Sequence, residues 1–204
     1  LLDKVVELLP NDLEEEEESD VPRISIVGRP NVGKSSFLNA LLGKERNIVN
    51  TIAGTTRDAV GTHYQAYGFD FILTDTAGLR KKSKVDEDVE FYSVMRSVRA
   101  IENSDVCILM IEASEGMMAQ DMNILHLIQK NKKGLVIMVN KWDLVAEKSA
   151  NTMKQFKARI FEKLAPFNDI PLIFTSVTEK QRIHEVLEKA VQVFENRKKK
   201  IPTH

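Results

Sequence analysis

Hydrophobic positions divide the chain from residue 22 onward into short strand-like runs and longer helical stretches. The short runs are rich in β-branched and aromatic residues and predict strands at residues 23–27, 59–66, 69–74, 106–111, 135–139 and 172–174. Helical spacing of apolar residues predicts helices at 34–42, 88–102, 120–130, 150–164 and 181–199. This alternation is typical of a mainly parallel sheet with helices on both faces.

Two details refine the predicted sheet. Tyr67-Gly68 forms a tight-turn signal between the second and third strands, so these two strands are predicted to form an antiparallel hairpin. The fourth and fifth strands are almost continuously apolar, as expected for central strands that are buried on both faces. The predicted fold class is therefore α/β, a three-layer α/β/α domain whose six-stranded, mostly parallel sheet has one antiparallel strand.

The first 21 residues follow a different pattern. Apolar residues at helical spacing predict a short helix before Pro10, and the acidic run at residues 14–18 predicts a solvated linker. We therefore expect residues 1–10 to end a preceding unit, residues 11–21 to form a linker, and residues 22–200 to form the main domain.

Composition narrows the class of protein only a little. The 204 residues are 43% hydrophobic and 29% charged with a net charge of -1, which is ordinary for a folded domain and gives no overall attraction to nucleic acid or anionic membranes. No apolar run approaches the ~20 residues that span a bilayer, and no signal-peptide pattern is present, so we expect a cytoplasmic protein. Cys107 is expected to be a small buried hydrophobe, and the scattered histidines predict no zinc site.

A phosphate-binding loop is predicted between the first strand and the first helix. Residues 28–35 read Gly-Arg-Pro-Asn-Val-Gly-Lys-Ser and fit the pattern G-x-x-x-x-G-K-S. Backbone N–H groups of such a loop point at a phosphate, the lysine contacts the β- and γ-phosphates, and the serine hydroxyl binds magnesium. The strand–loop–helix context disfavours a chance glycine-rich turn. The residues expected to contact the nucleotide here are Asn31, Val32, Gly33, Lys34, Ser35 and Ser36.

A second motif predicts the rest of the magnesium site. Residues 75–78, Asp-Thr-Ala-Gly, follow the third predicted strand. Asp75 at the carboxyl end of a strand can hold magnesium through water, and the N–H of Gly78 can approach the γ-phosphate closely. Loss of that phosphate would release the segment that follows.

Two adjacent threonines precede the second predicted strand. The hydroxyl of Thr55 or Thr56 can complete the magnesium shell when the γ-phosphate is present. Spacing does not decide between the two, and we favour Thr56. The alternative is a loop threonine that bonds its own backbone.

The motif Asn140-Lys141-Trp142-Asp143 after the fifth strand predicts recognition of guanine. Guanine presents two adjacent donors, N1–H and the 2-amino group, which the carboxylate of Asp143 can accept together. Adenine lacks both donors and would leave this charge unpaired, and such a site rejects the wrong base by factors on the order of 10⁴. Asn140 is expected to contact the base and to tie the phosphate loop to this motif, while the aliphatic stem of Lys141 lies along the base.

A last segment of the predicted site follows the sixth strand. Thr175-Ser176-Val177 is positioned to donate a backbone N–H to guanine O6. The alternative is that the Thr-Ser pair caps the helix that follows.

These motifs, in this order, resemble the GTPase superfamily of P-loop NTPases with a Ras-like fold. Residues 28–35, 54–58 and 75–80 resemble the bacterial ribosome-assembly GTPases related to Era and to the tRNA-modifying MnmE, and residues 81–94 and 180–203 are closer still to the second GTPase domain of the Der (EngA) family. Members carry two tandem GTPase domains joined by an acidic linker, then a KH-like domain. The resemblance implies that residues 1–10 end the first GTPase domain and that residues 201–204 begin the connection to the KH-like domain.

The resemblance also implies a function and partners. It implies a magnesium-dependent GTPase that binds GTP and GDP and acts as a nucleotide switch in assembly of the large ribosomal subunit. The implied partners are that subunit and its RNA, together with the neighbouring domains of the same chain. We expect no association with a membrane, and we expect the protein to be a monomer. One departure is that Thr175-Ser176-Val177 stands where related proteins usually have Ser-Ala, a change that backbone recognition of O6 tolerates.

The rate of hydrolysis depends on residue 79. Ras-like enzymes orient the attacking water with a glutamine there, whereas this chain has Leu79, so hydrolysis by the isolated domain is expected to be slow. The resemblance implies a potassium ion that bridges the phosphates, with the amide oxygen of Asn31 as a ligand. The alternative is that Asn31 only hydrogen-bonds within its loop. The expected catalytic residues are Lys34, Thr56, Gly78 and Asn31.

The sequence leaves alternatives open both for the basic segment after Leu79 and for the function of the chain. Basic residues Arg80, Lys81, Lys82 and Lys84 form either a solvated loop or a nucleotide-gated contact with RNA or another domain. Leu79 favours a nucleotide-gated binding module with negligible turnover for the isolated domain, whereas the full set of phosphate and magnesium motifs favours a GTPase. An ATPase is the third alternative, and Asp143 disfavours it.

Overall fold

One seven-stranded sheet forms the centre of the structure, a computed structural model that describes residues 20–43, 48–52, 61–74, 89–146, 149, 151–167 and 169–199. Its strands are β1 (Arg23–Val27), β2 (Ile48–Ile52), β3 (Gly61–Ala66), β4 (Phe69–Thr74), β5 (Val106–Glu112), β6 (Gly134–Asn140) and β7 (Leu172–Phe174). The helices in the same ranges are α1 (Lys34–Leu42), α2 (Val89–Glu102), α3 (Ala119–Lys130), α4 (Thr152–Leu164) and α5 (Ile183–Lys198), with a short 3₁₀ helix at Trp142–Leu144.

The strand order is β2-β3-β4-β1-β5-β6-β7. Strands β4, β1, β5, β6 and β7 run parallel to one another, and β3 runs antiparallel to both of its neighbours. The predicted α/β class, with a mostly parallel sheet and one antiparallel strand, is confirmed. Because the parallel strands share a direction, their carboxyl ends meet at one edge of the sheet, where the predicted motifs begin.

The sheet has one strand more than the six predicted. The additional strand, β2, lies at an edge and pairs only with β3, with Ile48 opposite Gln65 and Ile52 opposite Gly61. Its sequence is short and Asn50 interrupts its apolar pattern, so the local sequence does not distinguish it from a loop. Pairing with β3, a contact distant in sequence, makes this segment a strand.

The predicted hairpin is confirmed. Tyr67 and Gly68 form its two-residue turn with left-handed backbone angles, φ 53 and φ 80, and Ala66 lies opposite Phe69. Two positive angles in succession are the geometry that matches the twist of the flanking antiparallel strands.

Each face of the sheet carries its own hydrophobic core. One core packs side chains of α1 and α5 against β1, β4, β5 and β6, and includes Phe37, Phe71 and Val186. The other packs α2, α3 and α4 against the opposite face, and includes Leu125 and Ile160. Successive residues of β5 alternate between the two cores, since Ile108 and Met110 belong to the first while Leu109 and Ile111 belong to the second. This arrangement confirms three layers and buries β5 on both faces, as predicted.

Some predictions fall outside this part of the chain. Residues 1–19, with the predicted first helix and most of the acidic linker, lie outside the described residues, as do residues 200–204. Within the described ranges, no helix is both long enough and apolar enough to cross a bilayer.

Candidate nucleotide-binding site

The predicted phosphate loop, residues 28–35, connects the carboxyl end of β1 to the first turn of α1. Gly28 is buried and has φ 145, and a Cβ atom built on it would lie 2.3 Å from the carbonyl oxygen of Met110 in β5. Only glycine allows the loop to pack this closely on the β5 backbone. Asn31, at the middle of the loop, has a left-handed backbone with φ 65.

Lys34, the first residue of α1, is held by the loop itself. Its Nζ donates hydrogen bonds to the carbonyl oxygens of Gly28 at 2.7 Å and Arg29 at 2.5 Å. Ser35 and Ser36 follow in the first turn, where the N–H groups of a helix have no intrahelical partner. The ammonium and the helix amino terminus together form a site suited to an anion.

Asn140 joins three segments of the chain. Its Nδ2 donates to the carbonyl oxygen of Val32 in the phosphate loop at 2.9 Å, and its Oδ1 accepts the backbone N–H of Val177 at 3.1 Å. A Cβ on Gly33 would lie 2.3 Å from Asn140 Nδ2, so glycine at this position makes room for the amide. The predicted tie between the phosphate loop and the base-recognition motif is present.

The base-recognition motif is anchored by its tryptophan. Trp142 is buried and packs against Phe174 and Phe156, with ring centroids 4.4 and 5.7 Å away, and its backbone N–H donates to the carbonyl of Thr175 at 3.0 Å. Asp143 lies in the short 3₁₀ helix and is half-buried, with its Oδ1 atom buried. The buried tryptophan therefore fixes the position of the adjacent carboxylate at the carboxyl edge of the sheet.

Lys141 forms an ion pair that the sequence analysis missed. Its Nζ lies 2.6 Å from Glu112 Oε2 at the end of β5, and both side chains are partly buried. Hydrogen bonds from Lys141 and from Ser114 lower the pKa of the Glu112 carboxyl, while burial opposes them. The sequence contained an indication that Glu112 has a specific role, because this acidic residue follows six consecutive apolar residues at the end of β5. Its partner, 29 positions away, could not be assigned without the register of β5 and β6.

The alternatives for Thr175-Ser176-Val177 are partly resolved. Helix α5 begins at Ile183 with Arg182 as its cap, so the Thr-Ser pair does not cap that helix. The hydroxyl of Ser176 instead accepts the N–H of Glu179 at 3.0 Å and closes a turn. The N–H of Val177 is directed at Asn140 Oδ1, beside the base-recognition motif.

The predicted switch residues are not part of the described structure. Thr55, Thr56, Asp75, Gly78 and Leu79 lie outside the described residues. The sequence position of Asp75 is still informative. Asp75 directly follows β4, and β4 pairs with β1, the strand that leads into the phosphate loop. Among the residues that the structure does describe, no group of three or more His, Cys, Asp or Glu could hold a metal ion.

The strand order and the phosphate loop are shared with a known family of proteins. The family model described as 50S ribosome-binding GTPase matches residues 23–141. This chain belongs to that family of GTP-binding and GTP-hydrolysing domains. The matched residues extend from the first strand through the phosphate loop to Lys141 of the base-recognition motif.

Relatives of this chain include proteins named GTPase Der. The chain is 57% identical over 203 residues to GTPase Der of Bacteroides thetaiotaomicron and 58% identical to that of Christiangramia forsetii. Each match covers all of this chain and 46% of the relative, so the chain spans about half the length of these relatives. The resemblance to the Der family is confirmed.

A solved structure supports the same fold. The crystal structure of Era in complex with MgGDPNP and nucleotides 1506–1542 of 16S ribosomal RNA matches with a TM-score of 0.64 and 25% identity, covering 90% of this chain and 59% of that one. The Ras-like P-loop fold predicted from the motifs is therefore confirmed.

Proposed function

We propose that this chain binds GTP with magnesium, hydrolyses it to GDP and phosphate, and serves as a nucleotide switch in assembly of the large ribosomal subunit. The observation that carries the proposal is the position of Asn140, whose one side chain bonds both the phosphate loop and the segment beyond β7. A nucleotide whose base lies at Asp143 and whose phosphates lie at Lys34 would connect these same segments.

The residues present fit a magnesium nucleotide. Gly28 and Gly33 stand where a side chain would collide with the Met110 backbone or with Asn140, which leaves a loop lined by main chain. The hydroxyl of Ser35 lies in the first turn of the helix behind that loop. Ser35, Thr56 and Asp75 would hold the magnesium ion, and hydroxyl and carboxylate oxygens are the ligands it prefers. Bound magnesium supplies positive charge to the β- and γ-phosphate oxygens.

Each residue of the site has a separate task in hydrolysis. Lys34 neutralises charge on the β- and γ-phosphates, and the N–H of Gly78 donates to the γ-phosphate. Asp143 accepts N1–H and the 2-amino group of guanine, and Asn140 and Lys141 hold the base. The backbone N–H of Ser176 reaches O6, because that of Val177 already donates to Asn140 Oδ1. We favour Thr56 over Thr55 for the magnesium shell.

Turnover by this chain is proposed to be slow and stimulated by potassium. Leu79 cannot orient the attacking water, so charge stabilisation at the phosphates must come from elsewhere. Asn31 supports a potassium site, because the sequence places its side-chain amide at the middle of the phosphate loop. Leu79 also supports the second candidate, a nucleotide-gated binding module with negligible turnover.

Phosphate release from GTP in potassium and in sodium buffers tests the proposal and separates the two candidates. We expect release in both buffers and a faster rate in potassium. The variant Asn31→Gly, which keeps the left-handed backbone but removes the amide, should bind GDP and lose the potassium effect. Release no faster than the background in either buffer would establish the binding module and contradict the GTPase.

The proposed partners are the large ribosomal subunit and its RNA. The family description and the Era complex with 16S ribosomal RNA support association with the ribosome. We also propose that a GTPase domain precedes this one and a KH-like domain follows it, as in the Der family, and that the protein is a cytoplasmic monomer. Sedimentation of the full-length protein with 50S subunits, with GDP or with a non-hydrolysable GTP analogue, tests this; equal binding with both nucleotides would contradict a switch.

A further inference from the structure

Arg29, the second residue of the phosphate loop, is bonded to the start of α3. Its Nε donates to both carboxylate oxygens of Asp121, at 3.0 and 2.9 Å, and its Nη1 donates to Glu115 Oε2 at 2.7 Å. The Asp121 side chain is 0% exposed and that of Arg29 is 14% exposed. This link connects the loop to a helix 92 positions away in sequence, so no local pattern could have predicted it.

Asp121 is itself fixed in position. It lies in the first turn of α3, and its Oδ2 accepts the backbone N–H of Met118 at 2.9 Å, which closes that turn. Burial raises the pKa of Asp121, against the effects of the Met118 N–H and the Arg29 guanidinium. Burying a carboxylate is costly even when it is paired, so stability alone is a weak reason for this ion pair. The hydrogen-bond geometry is better explained if Asp121 holds the Arg29 side chain in a fixed position.

The anchored residue also holds the lysine of the phosphate loop. The carbonyl oxygen of Arg29 accepts a hydrogen bond from Lys34 Nζ at 2.5 Å, beside that of Gly28 at 2.7 Å. A shift of the Arg29 side chain would therefore move a main-chain group that sets the position of the ammonium. Asp121 thus connects to Lys34 through a single intervening residue.

We propose that Asp121 is a positioning residue for phosphate binding, acting through Arg29 to hold Lys34 where the β- and γ-phosphates of GTP bind. Glu115 is a secondary support, since its side chain is half exposed and contacts only Nη1. The inference rests on the proposed function and adds to it a residue outside every motif of the sequence.

A double-mutant cycle tests the route through Arg29. Asp121→Asn keeps the shape of the side chain and an oxygen for the Met118 N–H but removes the charge. Arg29→Gln removes the partner cation, and the double variant completes the cycle. The matched control is Asp105→Asn, because Asp105 precedes β5 at the amino end of that strand, away from the phosphate loop, and its Oδ2 accepts the backbone N–H of Arg23 at 2.8 Å. The measurements are GDP and GMP affinity and the rate of hydrolysis at saturating GTP.

The expected results separate positioning from stability. Asp121→Asn and Arg29→Gln should each lower GDP affinity and the hydrolysis rate about tenfold, because a small displacement of a phosphate-binding group costs this much or more. GMP affinity should stay within about twofold of the wild type, because GMP has no β-phosphate for Lys34 to contact. The double variant should be no worse than Arg29→Gln alone, and Asp105→Asn should match the wild type.

Several outcomes would overturn the inference. One is an Asp121→Asn variant with wild-type GDP affinity and hydrolysis rate. Another is an equal loss of affinity for GDP and for GMP. A third is a double variant in which the losses of GDP affinity of the two single variants multiply. If Asp121→Asn does not fold, Arg29→Lys provides the same test, because a lysine keeps the charge but cannot make the two Nε contacts. If the wild type hydrolyses no GTP, the proposed function fails, while the GDP-to-GMP affinity ratio still decides the inference.

Discussion

The side chain of Asn140 donates a hydrogen bond to the carbonyl oxygen of Val32 at 2.9 Å, which connects the base-recognition motif to the phosphate loop across 108 positions of sequence. Its other amide atom accepts the N–H of Val177. Asn140 and both of its backbone partners are buried, so each of these polar groups depends on the others for its hydrogen bond. The two halves of the nucleotide site are therefore one hydrogen-bonded unit.

Replacing Asn140 by alanine tests that connection. Asn140→Ala leaves the carbonyl of Val32 and the N–H of Val177 buried without these partners, at a cost of about 1–3 kcal/mol for each group. We expect a lower free energy of unfolding and a GDP affinity reduced by about tenfold or more, measured by denaturant titration and fluorescent-nucleotide binding. Asn123→Ala, an exposed position on α3, is the control and should leave both unchanged. Unchanged GDP affinity in Asn140→Ala would contradict the account.

Gly33 is predicted to tolerate no side chain. A Cβ there would lie 2.3 Å from Asn140 Nδ2, and its φ of 110 is strained for any other residue. Gly33→Ala should therefore abolish measurable GDP binding by calorimetry. Gly68→Ala isolates the backbone strain, because its φ is 80 and nothing lies within 4 Å of the added Cβ. That control should lose stability by about 1–2 kcal/mol and keep GDP binding. Similar GDP binding in the two variants would show that the steric conflict at Asn140 is unimportant.

The sequence predicted those parts of the molecule that depend on local chemistry. Helix α1 begins and ends where the apolar spacing places it, at Lys34 and Leu42, and the Tyr67-Gly68 turn gives the hairpin its register. The tie from Asn140 to the phosphate loop also followed from the motifs, because both lie at carboxyl ends of parallel strands.

The features that were missed depend on contacts distant in sequence. Strand β2 exists through its pairing with β3, and Glu112 acquires its role only when β5 lies beside β6 and brings Lys141 within reach. Asp121 belongs to none of the sequence motifs. Its position in the first turn of a helix does not indicate that its carboxylate pairs with the guanidinium of Arg29 in the phosphate loop. Such residues can be identified only from the tertiary structure.

The ion pair between Glu112 and Lys141 predicts a pH-dependent contribution to stability. The pKa of Glu112 lies below its ordinary value of 4.5, chiefly because Lys141 donates to it, so the pair stabilises the fold fully above that value. The contribution is lost as the pH falls through the lowered pKa. The difference in melting temperature between the wild type and Glu112→Gln should therefore be largest near neutral pH and shrink below pH 4.5. Thermal melts from neutral to acidic pH measure this difference.

The matched variant for this pair is Lys141→Met, which keeps the aliphatic stem but removes the charge. In that background Glu112→Gln should no longer produce the pH-dependent difference. A difference that persists without the lysine, or that grows as the pH falls, would show that another group causes it.

Recognition of guanine by Asp143 can be measured by competition of GDP, ADP and xanthosine diphosphate for the site, in the wild type and in Asp143→Asn. Xanthine has a carbonyl at C2 where guanine has an amino group, so an asparagine amide can donate to xanthine where a carboxylate cannot. We expect the wild type to prefer GDP over both competitors, and Asp143→Asn to lose that preference and bind xanthosine diphosphate most tightly. A variant that still prefers GDP to the wild-type extent would contradict the assignment of this site.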